Sequence, residues 1–219
     1  WLDFENRRVV WPDSKGGGVA ALERFLDGED VARPPFAPPF LRAGRQLIGQ
    51  TANILLFLGG RLELAPRDIA GKLWTHQLQL TIAAFLVEIN DTHHPIAGGL
   101  YYEHQKPAAR RRSRSFLAER VPKYCGYFER VLERNRAAGP WMVGTLATYA
   151  DLSMAQVIAG LHYAFPRAIR AAMPAYPRIA ALHDAVFARP RIKRYVASRR
   201  RLAFNNDGIF RHYRELDKG

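Results

Sequence analysis

Beyond residue 66 the apolar positions recur every three or four residues over long stretches, the spacing of helices that each bury one face. That spacing predicts helices over 69–91, 107–134, 149–165, 177–187 and 191–200, with Pro190 dividing the last two because proline has no N–H for a helix interior. The 149–165 stretch is apolar almost throughout, as a buried helix is. Before it stands Thr148-Tyr-Ala-Asp151, the spacing of a capping box, in which the hydroxyl takes the third N–H and the acid reaches back to the cap N–H. No strand pattern interrupts this part, which reads as an all-α bundle.

The first sixty residues have a shorter rhythm. Residues 1–4 and 8–11 are brief apolar and β-branched runs that read as strand, and 19–26 has helical spacing that stops at Asp27-Gly28. Pro34, Pro35, Pro38 and Pro39 exclude a helix between 32 and 39. Phe40-Leu41, a turn through Gly44, and Gln46-Leu47-Ile48 predict a short hairpin. Residues 51–59 predict a helix with Ile54, Leu55 and Leu58 on one side and glycines at its end. The expectation is an α+β chain of two domains: 1–60, then a linker through Pro66, then helices over 67–219.

Composition adds exclusions. With 219 residues, 48% hydrophobic and 24% charged, the chain is an ordinary globular one, large enough for a core without disulfide staples. The single cysteine, Cys125, rules out an intramolecular disulfide and a multi-cysteine metal site; beside Val121, Phe128 and Leu132 it reads as a core thiol. The longest apolar run, 78–89, is broken by Gln79, Thr81 and Glu88, so no membrane span is expected. The opening residues lack the basic-then-apolar order of a signal peptide, and cytoplasm is the expected location. The net charge of +13 comes from 33 basic residues, 27 of them Arg, clustered at 110–114 and 189–201. These clusters lack interleaved stacking aromatics, and no helix-turn-helix, zinc-finger or RNP signature occurs. They read as solvated faces, and a nucleic-acid partner is not expected. His93-His94 lacks a third ligand at helical spacing, so no metal is expected.

One segment carries chemistry as a set. In Pro38-Pro39-Phe40-Leu41, Gly44 and Ile48-Gly49-Gln50-Thr51, a proline enters a strand, a tight turn leads to a second strand, and a polar pair opens a helix. A thioredoxin-like domain holds a peptide-like ligand this way. The residue before a cis-proline presents its backbone, and the helix N-terminus, with free N–H groups and partial positive charge, receives a carboxylate. Ile54, Phe57-Leu58, the Thr148/Asp151 box and Tyr176-Pro177-Arg178, Leu182, Ala188-Arg189-Pro190-Arg191-Ile192 and Tyr195 follow in order. Taken together over nearly the whole chain, these motifs resemble the glutathione transferase superfamily. His93-His94-Pro95-Ile96 and residues 204–213 are similar to a bacterial or fungal branch near the sigma-type enzymes.

The resemblance implies an incomplete thioredoxin-like N-terminal domain followed by an all-α helical bundle domain. It also implies glutathione as substrate, conjugation of its thiol to an apolar electrophile, and a homodimer. Gln50 and Thr51 would hold the γ-glutamyl carboxylate, Pro39 would be the cis-proline, and Trp11 with Lys15 would reach the glycyl carboxylate. Pro38 departs from the family pattern, since it offers a C=O but no N–H to the cysteinyl backbone. Midway along 69–91 there is no acid to meet the glutamyl amine from a second subunit, only His76, Gln77 and Gln79. The electrophile would lie against the helical domain, with Tyr101 and Tyr102 as candidates. The chain is expected to begin in the family's second strand, without the segment bearing the thiol-activating Tyr, Ser or Cys. A second alignment makes 8–14 the first strand and Ser14 the activator. The alternative function is a non-catalytic glutathione-binding or protein-interaction module of the same fold.

Overall fold

The computed structural model of the chain describes residues 18–137 and 139–218. The expected strands at 1–4 and 8–11, and with them Trp11, Ser14 and Lys15, lie outside the described residues. The chain divides into two units, one ending at Leu58 and the other beginning at Gly59.

In the smaller unit, α1 (Gly18–Leu26) precedes a hairpin of β1 (Phe40–Ala43) and β2 (Gln46–Gly49), and α2 (Thr51–Arg61) begins directly after it. The strands pair antiparallel, Phe40 with Gly49 and Ala43 with Gln46, which leaves Gly44-Arg45 as a two-residue connection. Gly44 takes φ 61, a left-handed conformation that a residue without Cβ enters freely and that suits the twist of a tight hairpin. Helix α1 stops at Asp27-Gly28 as expected and meets the hairpin through Phe25, whose ring lies 5.3 Å from that of Phe40. Pro35 is buried, so the proline-rich segment folds back as part of this unit rather than standing free.

The larger unit is helical. Its members are α3 (Ile69–Asp91), α4 (Lys106–Ser115), α5 (Val121–Arg134), α6 (Tyr149–Ala164), α7 (Pro166–Ala172), α8 (Pro177–Ala188) and α9 (Pro190–Val196). The expected helix over 107–134 is present but interrupted: residues Phe116–Arg120 form a π-helical turn between α4 and α5. Pro122 supplies the reason. It has no N–H for the carbonyl of residue 118, and the ladder widens so that Val121 N–H reaches Phe116 C=O instead. The apolar helix α6 is buried around most of its circumference and packs against both α3 and α8. Leu78, Ile82, Phe85 and Ile89 of α3, Met154, Ile158 and Leu161 of α6, and Ile179 and Leu182 of α8 form the core. Each such side chain contributes ~1.5–3 kcal/mol on burial.

The tail after α9 returns to this core. A Cβ on Gly160 would fall 2.4 Å from the Phe210 ring, so glycine is what lets the tail close on α6. Asp217, almost fully buried, accepts the N–H groups of Arg167 and Ala168 at 2.8 and 3.0 Å and so caps α7. Ser113 Oγ donates to the Leu216 carbonyl at 2.6 Å, and His93 Nε2 donates to the Ile209 carbonyl at 2.8 Å.

Candidate functional site

The pairing of Phe40 with Gly49 places Pro39 and Gln50 side by side just past the open end of the hairpin. The Pro38–Pro39 peptide is cis, and both prolines are exposed. Gln50 is exposed and holds φ 65, a left-handed backbone that is uncommon outside glycine and costs of order 1 kcal/mol. Thr51, the first residue of α2, is exposed beside it. The helical ladder of α2 starts with Ile54 N–H to Gln50 C=O at 2.9 Å. The N–H groups of Thr51, Ala52 and Asn53 therefore precede the ladder and point out of it. The first turn carries no acidic residue, so the helix itself places no carboxylate at the positive end of its dipole.

Four of the six sequence-derived site residues, Pro38, Pro39, Gln50 and Thr51, thus meet at one corner of the smaller unit. Trp11 and Lys15 are outside the described residues. The corner can supply three backbone N–H donors and a hydroxyl for an anion, and the Pro38 carbonyl as an acceptor. The strained backbone of Gln50 is the feature sequence reasoning missed; glutamine carries no signal for a positive φ.

The helical candidates fare differently. Tyr102 is corrected: it is 3% exposed, its hydroxyl donates to Glu215 at 3.0 Å, and its ring stacks on Tyr213 with centroids 3.7 Å apart. Burial, with Glu215 beside it, holds that hydroxyl far above the usual tyrosine range, so Tyr102 anchors the tail instead of facing a ligand. Tyr101 stays 75% exposed, as its chain neighbour Leu100 does at 38%. Cys125 is buried, and desolvation, with Glu129 adding to it, pushes its thiol up to about 12, which makes it a core residue and no nucleophile. His93 is buried and bonded to the tail, its ring 4.8 Å from His94. No group of three His, Cys, Asp or Glu gathers as a metal site among the described residues. Nor, among them, is any helix long and apolar enough to cross a membrane.

Residues 90–199 match the family model described as "Glutathione S-transferase, C-terminal domain". Over 204 residues the chain is 22% identical to a protein of Plasmodium yoelii yoelii named glutathione S-transferase, spanning 91% of this chain and 87% of that one. A solved glutathione S-transferase of Caenorhabditis elegans matches with a TM-score of 0.62 at 20% identity, over 87% of this chain and 83% of the other. A monomeric glutathione S-transferase of the hookworm Necator americanus matches with a TM-score of 0.57 at 18% identity, over 77% of each chain. The structural likeness shows the fold that the motif order implied, a thioredoxin-like unit followed by a helical one.

Proposed function

The chain belongs to the glutathione S-transferase family, and from that premise we propose that the Pro39/Gln50 corner binds glutathione and that the protein adds its thiol to apolar electrophiles. The observation that carries the reading is Gln50, held at φ 65 directly before the exposed N-terminus of α2, whose first turn carries no acid. Strained backbone that persists at an exposed position beside a cluster of outward N–H groups is what a ligand site maintains. The γ-glutamyl carboxylate lies on the N–H groups of Thr51 to Asn53 and on the Thr51 hydroxyl, with the Gln50 side chain beside it. The Pro38 carbonyl accepts the cysteinyl N–H. Trp11 and Lys15 reach the glycyl carboxylate, the pairing that suggests a place near the sigma-type enzymes. Conjugation then requires the thiol to be held as thiolate near neutral pH by donated hydrogen bonds and local positive potential.

Two companion readings belong to the same proposal. Helix α3 exposes Ile69, Leu73, Leu80 and Val87, at 71, 64, 51 and 61% exposure, at positions that fall along a single face. Phe36 is 94% exposed as well. Apolar surface of this extent supports a homodimer. Its location is the cytoplasm, as the single cysteine and the absence of cystines favour.

Retention on immobilised glutathione, together with glutathione-dependent conjugation of a chlorodinitrobenzene, tests the reading. Thr51→Ala should weaken retention by roughly tenfold, as expected for the loss of a charge-assisted hydrogen bond. Retention without conjugation would identify the binding module instead. Retention indifferent to both Gln50→Ala and Thr51→Ala would refute the corner.

A further inference from the structure

Of the two basic clusters, the one at 189–201 is left by the fold without counter-charge. It holds six arginines and Lys193 but no acid, and the flanking acids in the chain are as far off as Asp184 and Asp207. Asp184 is itself bonded to His183 at 2.9 Å. Among the described residues, none of the seven cations has a carboxylate within 4 Å. The 110–114 cluster differs, since its Arg112 pairs with Glu88 and Asp91 at 3.7 and 3.4 Å.

The charge is also concentrated. Helix α9 rises only about 10 Å over its seven residues. The chain then turns tightly, Ser198 N–H donating to the Tyr195 carbonyl at 3.0 Å and Arg201 N–H to the Ser198 carbonyl at 3.2 Å. All the cations but the half-buried Arg201 are exposed. Like charges this close repel, and with no acid among them the counter-charge has to come from outside the chain.

The side chains around the cations decide which anion fits. Phe204 stacks on Tyr163 with centroids 5.2 Å apart and lies under the Arg201 guanidinium at 5.3 Å, while Trp141 lies under Arg189 at 5.9 Å. Neither ring is therefore free to stack on a base, the contact that single-stranded nucleic acid needs. Leu202, directly after three arginines, is instead 63% exposed. An apolar side chain beside guanidiniums suits a lipid interface, where it enters the acyl boundary while the guanidiniums grip phosphate oxygens in pairs. We propose that residues 189–202 dock the protein on an anionic phospholipid surface, headgroup phosphates lying on the arginines and Leu202 entering the interface. Lipid of this charge is concentrated in the cytoplasmic leaflet. The segment lies wholly in the larger unit, whereas the glutathione corner lies in the smaller one.

The test is cosedimentation of the full chain with vesicles of phosphatidylserine mixed into phosphatidylcholine, and with vesicles of phosphatidylcholine alone. The chain should pellet with the mixed vesicles only, and less as salt rises. Arg194→Gln combined with Arg199→Gln and Arg200→Gln should weaken this binding by about a hundredfold, since each cation near such a surface contributes about fivefold. The same charge removed from α4, as Arg110→Gln with Arg111→Gln and Arg114→Gln, should weaken it by less than about tenfold. Leu202→Ser should weaken it by about tenfold. All these side chains are exposed, and unaltered circular dichroism would confirm that the variants are folded. Failure of the parent to pellet with the mixed vesicles overturns the proposal. Equal losses from the two arginine triples also overturn it, because net charge would then be the cause. A Leu202→Ser variant that binds vesicles as the parent does would refute the lipid interface, and tighter binding to a DNA duplex than to the mixed vesicles would make nucleic acid the partner instead.

Discussion

Replacing Asp151 with alanine should be among the most damaging single changes in the helical unit. The residue is fully buried, and its two oxygens receive three protons. Oδ1 accepts Met142 N–H at 2.8 Å, and Oδ2 accepts the N–H and the hydroxyl of Thr148 at 2.7 Å each. Burial pushes the carboxyl up and these donors pull it back, so the group is retained only because every partner is present. Alanine would strand two backbone N–H groups and a hydroxyl. A buried donor left without a partner costs ~1–3 kcal/mol, and losing the acid half of the capping box costs ~1 kcal/mol. Partial relaxation brings the expected total for Asp151→Ala to ~3–4 kcal/mol, the scale at which breaking a buried network unfolds marginal proteins. Asp151→Asn keeps one oxygen for Thr148 but turns an NH2 toward a donor, and should cost ~2 kcal/mol. Thr148→Ala removes a single side chain from the box and should cost ~1–2 kcal/mol. Urea unfolding followed by the helical circular dichroism signal reads this directly. With a slope of ~2–3 kcal/mol/M, the midpoint of the alanine variant should fall by more than ~1 M. An alanine variant within ~1 kcal/mol of the parent would refute the reasoning, since the three bonds could not then be holding the loop to α6.

Two further outcomes follow from particular groups. His93 has its pKa lowered from 6.5 to about 4, chiefly by burial, against the pull of the Ile209 carbonyl. The unfolded state therefore binds more protons than the folded one between those values, and stability should decline as pH falls from about 6.5 to 4. His93→Gln should flatten that part of the stability–pH curve, and a curve of unchanged slope would count against the assignment. Introducing charge on the exposed stripe of α3, as Leu73→Glu with Leu80→Glu, should convert a dimer of 24.8 kDa chains to monomer in sedimentation. A parent that sediments as monomer, or a variant that remains dimeric, would remove the homodimer.

Much of the helical unit was legible because helices announce themselves locally. The 3.6-residue period of α3 and α6, and the Thr148/Asp151 box, depend on atoms within four positions of one another, and the structure places all three where the spacing put them. The single helix expected over 107–134 was misjudged for an equally local reason, since Pro122 inside it calls for the π turn. Short α7 escaped notice because seven residues hold too little periodicity to stand out. At the corner, the residue types Pro39, Gln50 and Thr51 were readable in order, whereas the left-handed backbone of Gln50 was not.

Chain order and residue type were thus enough for the helices, the hairpin, the cap of α6 and the choice of candidate corner, because each rests on hydrogen bonds and side-chain spacing between near neighbours. What folding in three dimensions added is non-local. Tyr102 is taken from the ligand candidates by Glu215 and Tyr213, and His93 meets Ile209 across 116 positions. Phe204, just after the arginines that follow α9, stacks on Tyr163 of α6. Contacts between residues so far apart leave no period in the sequence; they arise only when the buried faces of separate helices settle against one another and fix which side chains remain at the surface.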